Sequence, residues 1–301
     1  MTQASALRAY LALVLTIAGI SWSAILVRWA GAPGTVSAFY RVLIAGVILI
    51  TWRGIRGPTR ATFAKATVPK PVSSRAAWTA VAGGVFFALD LAFWNTAVMK
   101  TQAAVASILG NNTPIFVGIM SWLVLRKRPR ASFWIGLVLA LAGCVLIMSA
   151  KLRADTTPSG SLSGNALALI ASVFFAAYLI VTERVRRSMD TLTFNALAIA
   201  GSTVTLLVIA LAMDLPLWGY SPRTWAAFAG LGLVSQLAAY YALVYALGHL
   251  PATITSVGLL AQVPCTAALA WLLLGEPLTA VQIAGAVVVL AGIYVVNRYN
   301  G

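Results

Sequence analysis

Residues 92–143 read "AFWNTAVMKTQAAVASILGNNTPIFVGIMSWLVLRKRPRASFWIGLVLALAG", and residues 241–292 read "YALVYALGHLPATITSVGLLAQVPCTAALAWLLLGEPLTAVQIAGAVVVLAG". The two stretches keep step. Ala103 and Ala252, Ser107 and Ser256, Trp122 and Trp271, and Gly136 and Gly285 each stand 149 positions apart. Pro114 and Pro264 stand 150 apart, so the alignment needs one small gap. The chain therefore reads as two copies of one unit.

Working outward, both copies are too apolar for water. The chain has 301 residues, 61% hydrophobic and 9% charged, against about 25% charged in a soluble domain. Apolar runs of membrane-crossing length recur throughout. Ten spans are expected, at about 7–29, 34–52, 76–99, 102–125, 131–150, 161–183, 191–213, 223–247, 252–274 and 279–297. The polar segment 151–160 reads as a linker between a first repeat, 1–150, and a second, 161–301. Each repeat holds five spans, and a unit with an odd number of crossings inserts upside down relative to its copy. The expected fold is an all-α polytopic membrane protein of ten transmembrane helices in two inverted five-helix repeats. That architecture puts a substrate site near the midplane between the halves.

The net charge of +15 could suggest nucleic acid, but its distribution points to topology. The N-terminus, the loops after spans 2, 4, 6 and 8, and the C-terminus hold 15 of the 21 Lys and Arg. By the positive-inside bias both termini are cytoplasmic, and no nucleic-acid partner is expected. Arg8 followed by an apolar run, with "SWSA" behind it, has the outline of a signal peptide. A retained first helix is the better reading, since cleavage would break the repeat. Cys144 and Cys265 lie in apolar runs and read as small hydrophobes. There is one histidine, His249, and no GxxxxGK[ST] motif, so neither a metal centre nor any other cofactor is expected.

The order Ser107, Pro114, Trp122, Pro129, Gly136, Gly143, repeated as Ser256, Pro264, Trp271, "GEP" at 275–277, Gly285 and Gly292, resembles the drug/metabolite transporter superfamily with two EamA-type repeats. The resemblance covers essentially the whole chain. It departs in the first half, where "RKRP" replaces the expected glycine and glutamate, so no role of that glutamate passes to Arg128. Within the superfamily the chain resembles amino-acid exporters of the YddG kind in the bacterial inner membrane. The resemblance implies export of aromatic and other neutral amino acids, and of toxic organic cations.

Polar residues inside a membrane are costly and so mark candidate sites. In span 3, "FFALDLAFWN" puts Phe86, Asp90 and Trp94 on one helical face with Phe87 beside it. Such a face offers an aromatic wall and one carboxylate for a ring and an ammonium group. Asp90 equally suits a structural ion pair with Arg41, because the two lie ~14 Å and ~10 Å from the same end of their spans. Both readings stay open, a proton site included. In span 4, Pro114 and Gly110 predict a kink that frees carbonyl groups, next to Ser107, Asn111 and Asn112. Span 9 repeats the device with Ser256, Gly258, Gln262 and Pro264. These polar groups either line a cavity or bond between helices. Tyr241 is the deeper tyrosine of span 8, and Trp22 and Tyr178 complete the candidates. Glu183, beside three arginines, reads as a helix-end residue snorkelling to water.

These features suit a secondary transporter working on a small-molecule substrate in a lipid bilayer by alternating access. Export of some other metabolite or drug is the nearest alternative. An intramembrane enzyme lacks a base at the depth of any serine nucleophile, and a scaffold has no need of pseudo-symmetry. The oligomeric state stays open, a monomer being compatible with the repeat.

Overall fold

The computed structural model describes residues 3–56, 73–101, 103–154, 162–275 and 278–300. Arg60, Lys65 and Lys70 of the basic loop, linker residues 155–160, and Glu276 and Pro277 lie outside them. Among the described residues, ten helices are long and apolar enough to cross a membrane: Ser5–Val27, Gly34–Trp52, Ser74–Ala97, Val105–Leu125, Ala131–Ser149, Leu162–Val185, Thr191–Ala212, Pro222–Leu247, Ala252–Leu273 and Ala280–Arg298. Helices answer the need of a chain in lipid to satisfy every backbone group internally. The helix of span 5 continues through Lys151 to Ala154, past the expected start of the linker. Among the described residues there is no strand.

Side chains cap several of these helices. Ser73, Asp190 and Ser221 accept from the backbone N–H groups of Ala76, Thr193 and Thr224, opening spans 3, 7 and 8. Spans 4 and 9 end alike, on a left-handed residue: Arg126 at φ 55° and Gly275 at φ 68°. Glycine accepts that conformation without penalty, whereas arginine does not.

Three spans are broken. Span 4 is Ala103–Gly110, a turn, then Thr113–Leu125. Span 9 is Ala252–Gly258, a 3₁₀ turn at Leu259–Ala261, then Gln262–Leu274. Span 8 runs as a π-helix over Leu231–Tyr240 between two α-helical pieces.

Close packing comes from glycine. A Cβ on Gly136 would lie 2.6 Å from the Gly292 carbonyl oxygen, and one on Gly143 would lie 2.6 Å from that of Gly285. Spans 5 and 10 therefore touch backbone to backbone, as small residues permit in lipid. A Cβ on Gly84 would stand 2.0 Å from the Ala198 carbonyl oxygen. Ser202 Oγ donates to the Gly84 carbonyl across the same contact at 2.8 Å. The main apolar core lies among spans 1, 2, 3, 6, 7 and 8, and a second one joins spans 5, 9 and 10.

Candidate functional site

The two proline-bearing breaks meet. A cavity of about 40 Å³ is lined by Gly110, Asn111, Thr113 and Pro114 of span 4, by Ser256, Leu259, Leu260 and Gln262 of span 9, and by Phe175 of span 6. Local chemistry keeps the break in span 4 satisfied. Pro114 falls in the first turn of the second piece, where its missing N–H costs nothing. The Gly110 carbonyl accepts Thr113 Oγ1 at 3.0 Å. Asn112 Nδ2 donates to the carbonyls of Ile108 and Leu109 at 3.2 and 3.1 Å. The Asn112 amide thus serves its own helix end, while Asn111 faces the cavity. Ser107 stands one turn before Asn111, partly buried. In span 9, Ser256 Oγ donates to Thr253 at 3.1 Å, and the Gln262 carbonyl accepts Ser21 Oγ at 3.4 Å. Gly258 gives room to Leu13, whose Cδ2 would be 2.9 Å from a Cβ there. Pro264 is half-buried in the second piece of the span.

An aromatic chain leads away from the cavity. Phe175 stacks near Tyr178 with ring centroids 6.1 Å apart. Tyr178 meets Phe87 at 5.1 Å, and Phe87 meets Tyr240 at 4.6 Å. The chain ends on a buried guanidinium. The Arg41 carbon Cζ lies 4.9 Å from the Tyr240 ring centroid and 5.9 Å from that of Phe87, within cation–π range. Arg41 Nε donates to Gln236 Oε1 at 2.9 Å and Nη1 to Ser23 Oγ at 3.3 Å. Asp90, one turn beyond Phe87, is within electrostatic reach of Arg41. The hydrogen bonds of Arg41 nevertheless go to Gln236 and Ser23, and no contact at ion-pair distance joins it to Asp90. Spans 1, 2, 3, 6 and 8 all contribute to this cluster.

The remaining candidates lie outside the cavity lining. Trp94 lies against Gly110, where a Cβ would come within 3.2 Å of its indole. Phe86 turns instead toward Phe174, 6.2 Å between centroids. Trp22 packs half-buried on the main core. Tyr241 is within electrostatic reach of Asp190 and Arg186, whereas its neighbour Tyr240 joins the arginine cluster. Tyr240, Gln236 and Phe175 are absent from the sequence-based candidates. The helical spacing of Gln236 and Tyr240 in span 8 could have signalled those two, whereas nothing local marks Phe175.

Glu183 departs from the expectation of a snorkelling side chain. It is 6% exposed, and its oxygens accept Lys127 Nζ at 3.0 Å, Arg187 Nη2 at 2.8 Å and the Ala252 backbone N–H at 2.9 Å. Partners from the loop after span 4 and from the start of span 9 hold the carboxylate inside.

Ten apolar crossings around a buried polar and aromatic centre, with helix breaks facing a cavity, are the build of a membrane transporter. The chain belongs to the EamA-like transporter family, whose model matches it twice, at residues 7–149 and 162–298. It is 31% identical to the uncharacterized transporter YwfM of Bacillus subtilis over 206 residues, 67% of each chain. It is 30% identical to the pseudopaline exporter CntI of Pseudomonas aeruginosa over 219 residues, 71% of this chain and 73% of that one. A solved crystal structure superposes with a TM-score of 0.78 at 17% identity, covering 99% of this chain and 98% of the other. That likeness shows a shared fold. The protein is a multi-pass membrane transporter and not an enzyme.

Proposed function

We propose that this transporter exports amino acids, aromatic and other neutral ones, together with toxic organic cations, across the bacterial inner membrane by alternating access. The observation that carries the reading is the meeting of two corresponding helix breaks, one from each repeat, at a single cavity. Around it lie neutral hydrogen-bonding groups suited to a zwitterion and an aromatic chain suited to an apolar side chain. The cavity holds little more than a water molecule, so a substrate enters only when the halves part.

Inversion of the two repeats is part of the proposal. It is supported by the register of spans 5 and 10, where Gly136 meets Gly292 and Gly143 meets Gly285. Exchanging each residue for its counterpart in the other repeat turns one contact into the other. The antiparallel sense of the pair fits a two-fold axis lying in the membrane plane. Cytoplasmic termini follow from the loop charges.

Counterflow of labelled amino acids in proteoliposomes tests the reading. The expected result is saturable exchange of at least one neutral amino acid, reduced by Asp90→Asn. Pure protein that moves no amino acid under any gradient refutes it. If transport and its pH dependence both survive Asp90→Asn at normal expression, Asp90 neither carries a proton nor is essential for binding. The similarity to a pseudopaline exporter favours, as a second reading, export of another small metabolite.

A further inference from the structure

We propose that Arg41 is the docking residue for a substrate carboxylate, so that the site prefers zwitterions and carboxylates to simple amines. The inference rests on the amino-acid reading above and sharpens it.

Arg41 is 6% exposed, and a guanidinium cannot shed its charge to suit its surroundings. Nε and Nη1 are engaged, but Nη2 is buried and donates to nothing. Buried donors without acceptors are rare and costly, and each calls for an explanation. Only three buried side-chain atoms among the described residues are in this position: Arg41 Nη2, Ser37 Oγ and Thr255 Oγ1. Ser37 precedes Arg41 by one helical turn on the same face of span 2. Two of the three orphans therefore belong to one face of span 2, both able to donate, on the face that carries the guanidinium.

The missing partner is an acceptor, and charge makes it an anion. Asp90 is the internal carboxylate at hand, yet it does not close on Arg41. The rings of Tyr240 and Phe87 compensate the cation in part but leave the N–H unanswered. A substrate carboxylate would satisfy Nη2 in the fork geometry that arginine favours. Asp90 is then left for the ammonium group, and Phe87, Tyr178 and Tyr240 for the side chain. A zwitterion matches all three.

The test is a competitor series run against whichever labelled amino acid shows counterflow. For tryptophan the competitors are tryptamine, which lacks the carboxylate, and indole-3-propionate, which lacks the ammonium. Losing a charge-assisted hydrogen bond should weaken tryptamine by roughly 10-fold or more relative to tryptophan, and indole-3-propionate should outcompete tryptamine. In Arg41→Gln the gap between tryptophan and tryptamine should close, and Arg41→Lys should restore part of it. Tryptamine competing as well as tryptophan in the wild type, or a folded Arg41→Gln that keeps the gap, overturns the inference. If Arg41→Gln fails to fold, Arg41→Lys, which keeps the charge, carries the test: an unchanged gap and unchanged affinity in it overturn the assignment, as does a wild type that takes tryptamine as well as tryptophan. Counterflow without carboxylate preference refutes this inference alone, whereas no counterflow of any amino acid refutes the export reading as well.

Discussion

Replacing Glu183 should loosen one end of the bundle. Its carboxylate ties together the end of span 4 through Lys127, the turn after span 6 through Arg187, and the first turn of span 9 through the Ala252 N–H. The three contacts are unequal. Lys127 and Arg187 have side chains 49% and 55% exposed, so water screens each pair to about 0.2–1 kcal/mol. The bond from Ala252 is buried, charge-assisted and placed at a helix N-terminus, which makes it worth about 1.5–3 kcal/mol. Glu183→Ala should therefore cost about 2–5 kcal/mol, most of it from Ala252. Glu183→Gln keeps a side-chain oxygen for that N–H and should lose about 1 kcal/mol. Lys127→Ala should cost less than about 1 kcal/mol. Equilibrium unfolding in mixed micelles, titrated with SDS, ranks the variants. If Glu183→Ala costs no more than Lys127→Ala, the Ala252 contact contributes nothing and the reasoning fails.

Three further perturbations follow from the packing and the caps. Gly84→Ala would drive a methyl into the Ala198 carbonyl and should destabilise by about 1–3 kcal/mol, read in the same titration. Arg126→Gly should stabilise by up to ~1 kcal/mol, because the residue holds a left-handed conformation at φ 55°, while Arg126→Val should destabilise. Partial burial pushes the Asp190 carboxyl up, yet hydrogen bonds from Thr193 and from the Leu192 backbone outweigh it and hold it below its ordinary 3.8. Because the folded value is depressed, this capping contribution is present above pH 3.8 and is lost as pH falls through the folded value. Asp190→Ala should cost about 1 kcal/mol at neutral pH and progressively less in acid, with Asp190→Asn close to wild type.

The fold was legible because lipid imposes one strong rule, about twenty apolar residues per crossing, and because the repeat is written twice. The breaks in spans 4 and 9 were legible for a local reason: Gly110 with Pro114, and Gly258 with Pro264, weaken a helix wherever they stand. The π-helix over "LGLVSQLAAY" has no such local cause. It depends on span 1, where Gly19 admits Ala239, Thr16 Oγ1 donates to the Ala239 carbonyl at 3.1 Å, and Ser235 Oγ donates to that of Gly19 at 3.2 Å. The Thr16 hydroxyl serves a carbonyl near the end of the wider helix, and Ser235 returns a bond to the backbone of span 1.

What stayed hidden has a common origin. Apolar run lengths fix how deep a residue lies but not which way its helix is rotated. Depth favours Tyr241 over Tyr245, whereas rotation puts Tyr240 against Arg41 and Tyr241 toward Asp190 and Arg186. Depth makes Arg41 and Asp90 natural partners, whereas rotation gives the guanidinium to Gln236 and Ser23. Local sequence surrounds Glu183 with arginines and suggests water, whereas Lys127 and Ala252, far off in the chain, hold it inside. In each case the deciding contact comes from a part of the chain that the local sequence does not show. The charge nearest the proposed path thus owes its availability to partners on spans 1 and 8 that hold it away from Asp90. A cation whose internal counter-ion is turned aside is one that a substrate can still satisfy.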